Sequence, residues 1–443
     1  MSPARLVLLL ALLALLAVPA AAGPSVTVYP QDLGFVREIR SLELQGTRDT
    51  VRLAEVAERM DFSSLRLAPV GGARITRLAY RFDVASGDAL IERARGNRVR
   101  VASKGDRVSE GTLIAADGSW LVVRGDDGAV STLSRSAVEE VRLAKPPGDM
   151  SLRPVVEAVV EGGKRGRIEA ELSYLTGGLS WSAEHMVVRT GETSVIWSAA
   201  VTVDNSTGRE FRDAALKLVA GQPHRAGSPR PMPMARGTVM AMEEKADLGE
   251  ESFADYHLYT LGRPATLRDR ESQALTMLEA RPVKVSPRYL YRGGASGVAA
   301  QLLVENTSAG GLGVPLPGGR VRIYEADAGG ALQFTGESRI GHTAEGEKVT
   351  LDVGTAFDLA AERRELYNKR ITDREREVQV EIKLRDRKKH DVSIVVEEAV
   401  GGDIEVLKSS HPYTRKDATT LQFTLPVPAG KETVLSYTVR ARY

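Results

Sequence analysis

The sequence contains no cysteine among its 443 residues. This absence excludes a disulfide scaffold, and it excludes a lipoprotein whose acyl chain is carried by a cysteine at the cleavage site. Aromatic residues are also scarce, at 5% of the chain, which is little for the two interfacial girdles of an outer-membrane barrel. The alternation of Leu435, Tyr437, Val439, Ala441 and Tyr443 therefore favours the closing strand of a sandwich over a strand of such a barrel.

A strong excess of one charge is absent as well. The chain has 60 basic and 58 acidic residues, for a formal net charge of +2. No overall field would recruit nucleic acid or an anionic membrane. We therefore predict no nucleic-acid partner.

The first 22 residues have the pattern of an export signal. Arg5 provides the positive region, Leu6 to Val18 are apolar, and Ala20-Ala21-Ala22 is a small-residue cleavage site. The apolar run is shorter than the roughly 20 residues that a spanning helix needs. We expect cleavage near Ala22, a mature chain that begins near Gly23 without a transmembrane span, and a periplasmic or secreted protein.

Alternation with a period of two marks the centre of the chain as β-sheet. Between Tyr174 and Pro223, the apolar positions Trp197, Ala199, Val201 and Val203 share one face of an extended segment. The turn residues from Asn205 to Gly208 follow, and Ala214, Leu216, Leu218 and Ala220 return with the same period. This strand-loop-strand pattern predicts a hairpin, and it recurs around Asn306 and around Lys388. The predicted fold class is mostly β, with antiparallel β-sandwich units and an inserted small SH3-like barrel.

Composition and turn signals divide the chain into six predicted segments. They are a signal peptide at 1–22, an N-terminal β module at 23–96, the SH3-like barrel at 97–145, a first β-sandwich part at 146–222, a flexible Met- and Pro-rich loop at 223–255, and a C-terminal β-sandwich part at 256–443. The stretch from Ala360 to Glu377 gives conflicting signals, because it has good helix formers but no continuous apolar stripe. We predict extended structure there.

Candidate catalytic residues are sparse. Gly178-Leu179-Ser180-Trp181-Ser182 misses the G-x-S-x-G pattern, and on a strand Ser182 and His185 would point to opposite faces. The six histidines are scattered singly, without paired-ligand spacing. Arg385, Arg387, Lys388, Lys389 and His390 form a basic turn that fits a solvated tip, or alternatively an anionic glycan or lipid head group.

Methionine supplies the one unusual cluster. Met232, Met234, Met240 and Met242 lie within eleven residues, and soft thioethers select Cu(I). Copper binding by these four residues is one hypothesis, and the alternative is a loop without a ligand.

Five separated phrases resemble the bacterial domain-of-unknown-function 4139 family, which is related to the C-terminal half of the mucoidy-inhibitor A proteins. The phrases are YLTGGLSWSAEH from Tyr174, NSTGREFRDAALKLVAG from Asn205, YHLYTLGRPATLRD from Tyr256, IGHTAEGEKVTLDVGTAFDL from Ile340 and SHPYTRKDATTLQFTLPVPAGKETVLSYTV from Ser410. The resemblance covers roughly Pro154 to Tyr443. It implies an exported, β-rich envelope protein without assigned catalytic residues.

These observations favour a non-catalytic binding or structural module of the cell envelope, without a cofactor, whose partner is an envelope protein or glycan. One alternative is a hydrolase acting on envelope glycan, which would need two facing carboxylates, or Asp and His, in a deep cleft. A second alternative is Cu(I) handling through the four methionines.

Overall fold

The computed structural model describes residues 23–82, 86–143, 151, 153–221, 248–253 and 256–443. The predicted signal peptide lies outside the described residues. The helix of the described part, α1, spans Gly87–Arg93, and three short 3-10 turns span Phe62–Ser64, Arg135–Ala137 and Ser308–Gly310. None of the described helices is long and apolar enough to cross a membrane.

Strands make up most of the described chain. The first ten are β1 Ser25–Tyr29, β2 Leu33–Leu44, β3 Arg48–Leu53, β4 Arg66–Pro69, β5 Arg74–Arg81, β6 Arg98–Ser103, β7 Arg107–Ala116, β8 Trp120–Arg124, β9 Val130–Ser134 and β10 Val138–Leu143. The next eight are β11 Val155–Glu161, β12 Gly166–Thr176, β13 Leu179–Arg189, β14 Ser194–Asn205, β15 Phe211–Ala220, β16 Leu248–Phe253, β17 Tyr256–Leu261 and β18 Ala265–Leu267. The last thirteen are β19 Glu271–Lys284, β20 Ser286–Arg292, β21 Ala299–Glu305, β22 Gly319–Ala326, β23 Leu332–Ile340, β24 Lys348–Thr355, β25 Leu359–Arg370, β26 Glu375–Asp386, β27 Val392–Ala399, β28 Asp403–Ser409, β29 Tyr413–Arg415, β30 Thr420–Val427 and β31 Glu432–Arg442.

These strands form six sheets. Their strand orders are β16-β17-β15-β1-β2-β12-β4 with β18 beside β15, β3-β11-β5, β10-β6-β7-β8-β9, β19-β14-β13-β22-β23, β24-β21-β20-β27-β30-β29 and β25-β26-β31-β28. The mostly β fold class is confirmed.

The chain divides into two compact units. Unit 1 takes its described residues from Met1–Trp181, Val203–Pro233 and Phe253–Gln273, and unit 2 takes its own from Ser182–Thr202, Met234–Ser252 and Ala274–Tyr443. In unit 1, segments 23–96 and 146–222, which the sequence separates, share sheets. β2 pairs with β12 along eleven residue pairs, and β11 lies between β3 and β5. These pairings join residues more than 70 positions apart, so local patterns do not reveal them.

The segment predicted as an SH3-like barrel, 97–145, contains five strands, β6 to β10. They form one sheet around a small apolar cluster that includes Val99, Val101, Leu113, Leu121 and Val123. Its end strands β10 and β9 are not paired with each other, so hydrogen bonds do not close the sheet into a barrel. We call residues 98–143 the small module.

The predicted hairpins are wrong in one respect, because the two strands of each strand-turn-strand segment belong to different sheets. β14 and β15, β21 and β22, and β26 and β27 are each divided between two sheets. In unit 2 their apolar sides meet across a core. Leu302 and Val304 pack in one cluster with Val321 and Ile323, and β26 and β27 likewise share a cluster. In unit 2, both of these strand-turn-strand segments therefore cross a sandwich.

Two further predictions can be compared with the structure. The stretch from Ala360 to Glu377 is extended, as predicted, apart from the turn at 371–374, because β25 pairs with β26 and supplies the hydrogen bonds that a helix would otherwise make. Most of the predicted loop at 223–255 lies outside the described residues. Its last part, however, forms strand β16 within the eight-stranded sheet.

The core of unit 2 contains a histidine that must stay neutral. His185 on β13 is buried, and the indole Nε1 of Trp197 donates to its Nδ1 at 3.2 Å. An indole N–H is only a donor, so Nδ1 is the acceptor and Nε2–H donates to the carbonyl of Pro317 at 3.0 Å. Burial lowers the pKa of His185 from 6.5 to about 4, although the Pro317 carbonyl acts to raise it.

This arrangement predicts acid sensitivity. The pKa of His185 is lower in the folded state than in the unfolded state. The stability that the neutral imidazole contributes is therefore fully present above pH 6.5 and is lost as the pH falls towards 4. The pKa difference corresponds to about 3 kcal/mol. We expect His185→Gln, which keeps one acceptor and one donor but does not titrate, to reduce the loss of unfolding free energy between pH 7 and pH 4.5, measured by urea titration.

The matched control is His390→Gln, because the His390 side chain is half exposed. This control should retain the acid sensitivity of the parent protein. Equal pH dependence in the parent and in His185→Gln would contradict the assignment.

Candidate functional site

The residues singled out from the sequence do not converge on one site. Met232, Met234, Met240 and Met242 lie outside the described residues, so the Cu(I) hypothesis stays a prediction. Ser182 is exposed whereas His185 is buried on the opposite face of β13, as predicted. Both ring nitrogens of His185 are occupied by Trp197 and Pro317, so this histidine is not placed to activate a serine.

The basic turn between β26 and β27 is partly neutralised. Arg385 forms ion pairs with Glu362 and Glu432, at 2.9 Å and 2.8 Å. His390 lies 3.6 Å from Glu192, and the ammonium of Lys388 lies over the ring of Tyr289. These contacts fit the interpretation of a solvated tip.

One open depression of about 580 Å³ lies in unit 1. It is lined by Thr47, Arg48, Gly72, Arg74, Glu161 and Gly162. Glu161, its one lining carboxylate, is ion-paired with Arg48 and Arg74. A glycosidase needs a second carboxylate roughly 5 to 10 Å away, so the lining of this depression does not match that chemistry.

A different cluster is built around two adjacent glutamates on β27. Side chains alternate along a strand, so Glu397 and Glu398 point to opposite faces of the six-stranded sheet. Val392, Ile394 and Val396 have the same parity as Glu398 and pack in the apolar cluster between this sheet and the four-stranded sheet. Glu398 therefore faces the core, and Glu397 faces outward.

Glu398 connects the two sheets of this sandwich. Its side chain is 1% exposed, and Arg363 Nε donates to Glu398 Oε2 at 3.0 Å. The hydroxyl of Tyr437 donates to the same oxygen. Burial, with the negative charge of Glu398, raises the pKa of Tyr437, so the phenol keeps its proton and remains a donor. Because Arg363 and Tyr437 belong to β25 and β31, this network fixes β27 against the opposite sheet.

Glycine is required where the chain passes over this carboxylate. The backbone N–H of Gly293 donates to the carbonyl of Glu397 at 2.8 Å. A Cβ at Gly293 would lie only 2.0 Å from Glu398 Oε1. The buried carboxylate is held by Arg363 and Tyr437, so it has little freedom to move away.

On the outer face, four side chains surround the carboxylate of Glu397. Lys416 Nζ, Gln422 Nε2 and an Arg288 NH2 group lie at 2.8, 3.2 and 3.4 Å from Oε1. Arg292 Nε lies 3.5 Å from Oε2. Strand register explains the convergence, because Arg292 and Gln422 are the direct cross-strand neighbours of Glu397 on β20 and β30. We call Arg288, Arg292, Glu397, Lys416 and Gln422 the Glu397 face.

The Glu397 face has an excess of positive charge. Three cations share one carboxylate, and within the described chain none of the three has a second carboxylate partner within 4 Å. Burial alone would raise the pKa of Glu397, but the hydrogen bond from Lys416 and the neighbouring cations lower it below its ordinary value. The carboxylate is therefore ionised at neutral pH, and it holds the cations together.

The cations remain accessible from outside. The side chain of Glu397 is 6% exposed, whereas those of Arg292 and Lys416 are 63% and 47% exposed. Guanidinium groups bind carboxylate, sulfate and phosphate oxygens through paired N–H donors, and an ammonium group adds a point charge. The geometry therefore suits an anionic group that approaches the outer face of the sheet.

Sequence reasoning missed this face, although it contained one signal. The alternation of Val392, Ile394 and Val396 places Glu398 at the next inward position, where a carboxylate requires a buried partner. The identity of the partners could not be read, because Arg288 is 109 positions from Glu397.

Replacement of Gly293 by alanine should destabilise unit 2. The added methyl group would overlap Glu398 Oε1, and overpacking of this kind costs about 1 to 3 kcal/mol. The measurement is urea unfolding of the two variants Gly293→Ala and Gly341→Ala. A methyl group at Gly341 would meet no heavy atom within 4 Å, so that control should change stability by less than about 1 kcal/mol. Equal effects at the two positions would disprove the close packing of Gly293 on Glu398.

Comparison with known proteins places the candidate site within a recognised domain. The family model of a domain of unknown function, DUF4139, matches residues 170–443, which include every residue of the Glu397 face. The match begins inside β12, later than the predicted start at Pro154, and it does not test the relation to mucoidy-inhibitor A, which stays a prediction. A search of curated proteins found no match. With more than half of its length matched by that model, the chain belongs to the DUF4139 family.

Proposed function

We propose that this protein is a non-catalytic binding module of the cell envelope, and that the Glu397 face recognises an anionic glycan. The observation that carries the proposal is the convergence of three cations on one buried carboxylate, which leaves two positive charges uncompensated. An anionic ligand would neutralise these charges without any rearrangement of the strands.

The surroundings of the cations favour a glycan over an apolar protein surface. Thr414 is the cross-strand neighbour of Gln422, and Thr424 is two residues further along β30 on the same face. Both threonines are exposed. Hydroxyl and amide groups beside guanidinium groups suit a ligand with many hydroxyls and an occasional carboxylate or sulfate. Protein interfaces instead concentrate aromatic and other apolar side chains at their centre.

Two arguments support binding over hydrolysis. Glu397 is held by three cations and a glutamine, so its ionised form is stabilised and it is poorly suited to donate a proton. Glu398, the nearest carboxylate in sequence, faces the core on the other side of the sheet. A glycan hydrolase, which is the alternative function, would require a second carboxylate on the same face.

Export supports the envelope as the place of action. The positive residue Arg5, the apolar run from Leu6 to Val18 and the alanines before Gly23 together form an export signal. In the envelope, anionic glycans are abundant, and a cysteine-free protein is not affected by thiol oxidation.

Binding should depend on the exposed cations of the Glu397 face. Isothermal titration with uronic-acid oligosaccharides should show binding that weakens with added salt, because exposed charges are screened. Neutral oligosaccharides of the same length should bind at least tenfold more weakly. The double variant Arg292→Ala and Lys416→Ala should lose at least tenfold in affinity for the uronic-acid oligosaccharide.

Two further variants distinguish the site from general surface charge. Lys408→Ala removes another exposed lysine, on β28 of the four-stranded sheet, and should leave the affinity unchanged. Glu397→Gln removes the competing carboxylate and should increase the affinity, provided that circular dichroism shows a folded protein. Equal losses in Lys408→Ala and in the double variant would contradict the proposed site.

The envelope assignment has its own test. Fractionation of cells that express a C-terminally tagged protein should place it in the periplasm or the medium, with an N-terminus near Gly23 by protein sequencing. Replacement of Leu9, Leu10 and Leu12 by arginine should prevent export and leave the uncleaved chain in the cytoplasm. A native protein that stays cytoplasmic and uncleaved would overturn the assignment.

A further inference from the structure

The small module of unit 1 has one sheet edge that lacks the usual protection. β9, at one end of the sheet, pairs only with β8 among the described strands. Val130, Ser131 and Thr132 are exposed, and Leu133 and Ser134 are half-buried. An open strand of this kind presents unpaired backbone N–H and C=O groups.

The hydrogen bonds at both ends of β9 show which groups point outward. Gly125 N–H donates to the carbonyl of Ala129 at 2.9 Å, and Arg135 N–H donates to the carbonyl of Ser119 at 2.8 Å. Hydrogen-bonded and non-bonded pairs alternate in an antiparallel ladder, so Ser131 and Leu133 bond to β8. The backbone N–H and C=O groups of Val130, Thr132 and Ser134 therefore face away from β8.

Comparison with the other edges makes β9 unusual. Natural sheets protect their edges with charged residues, prolines or bulges. Each of the other end strands of the six described sheets contains at least one charged residue. These end strands are β3, β4, β5, β10, β16, β19, β23, β24, β25, β28 and β29. β9 reads VSTLS, has no charge and no proline, and pairs with β8 without a register shift. The uncharged β18, beside β15, is only three residues long.

The sheet face next to this edge carries exposed apolar side chains. Val130 is 58% exposed and Trp120 is 50% exposed. The cross-strand pairs Trp120 with Ser134, and Val122 with Thr132, place these side chains on the same face. Arg124 lies at one end of that face, opposite Val130. A strand added beyond β9 would place alternate side chains on this face, next to Val130 and Thr132.

We propose that β9 accepts an extended segment of a partner protein as an additional strand of the sheet. The outward N–H and C=O groups specify an extended peptide backbone, as in other cases of strand addition. The uncharged edge and the exposed Val130 and Trp120 specify uncharged β-branched or aromatic residues at alternate positions of that segment. The small module is then a peptide-binding site whose chemistry differs from that of the Glu397 face.

The experiment uses the full-length protein and a synthetic peptide of alternating threonine and valine with lysine at both ends. Hydrogen exchange resolved to single residues reports the backbone directly. The amides of Val130, Thr132 and Ser134 should exchange rapidly in the free protein and at least tenfold more slowly with the peptide. The amides of Ser131 and Leu133 should be protected in both cases. A peptide of the same length with proline at every position between the lysines has no backbone N–H donors there, so it cannot form the ladder and should protect none of the outward amides.

Variants at Thr132 test the edge itself. Thr132→Pro removes an outward N–H but no hydrogen bond to β8, and it should weaken peptide binding at least tenfold. Thr132→Val keeps the backbone and should retain binding. Val130→Lys adds an edge charge without altering the backbone, so it provides the same test if Thr132→Pro does not fold.

Three outcomes would overturn the proposal. The outward amides could be protected already in the free monomer, which would mean that the edge is covered. Their protection could rise with protein concentration together with a dimer mass, which would make a second copy the occupant. Equal peptide binding by the parent, Thr132→Pro and Val130→Lys would place the peptide elsewhere.

Discussion

The C-terminal sandwich and its outer face both depend on the contacts that the buried carboxylate of Glu398 makes with Arg363 and Tyr437. A carboxylate with 1% exposure is tolerated because Arg363 and Tyr437 both donate to its Oε2 from the opposite sheet. Removal of one partner from such a network costs about 3 to 5 kcal/mol, because the remaining charge is left buried and unpaired. Neighbouring residues on a strand face opposite ways, so the inward position of Glu398 also fixes Glu397 on the outer face. There Glu397 forms ion pairs with Arg288, Arg292 and Lys416.

The strands themselves were largely predictable, and their partners were not. Alternating residues such as Val380, Ile382 and Leu384 mark β26 as a strand, because an amphipathic strand of either sheet type has a period of two. The same pattern arises whether the next strand lies beside it in one sheet or faces it across a core. The sequence therefore suggested hairpins where the chain crosses a sandwich. Helix α1 was missed because seven residues capped by Ser86 give too little periodicity to recognise.

The residues that meet at the candidate site were even harder to predict from the sequence than the strand partners. Glu398 breaks an apolar alternation and is visible as an anomaly in the sequence, but Arg288 and Arg292 on β20 and Lys416 after β29 carry no signal of their own in a chain with 60 basic residues. Only the parallel pairing of β20 with β27 and the antiparallel pairing of β27 with β30 bring them to one carboxylate. The sequence could thus indicate that β27 contains a buried ion pair, whereas the charge excess on its outer face is a property of the fold.

The Glu397 face and the β9 edge would recognise their ligands by different physics. At the Glu397 face the gain comes from charges that are 47% and 63% exposed at Lys416 and Arg292, so ionic strength reduces it. At β9 the gain comes from backbone hydrogen bonds and from contacts with Val130 and Trp120, which salt changes little. The charged residues on the other end strands fit this division, because they discourage strand addition there and leave β9 as the preferred edge. The two surfaces would therefore bind ligands of different chemical classes, an anionic glycan at the Glu397 face and an uncharged extended peptide at β9.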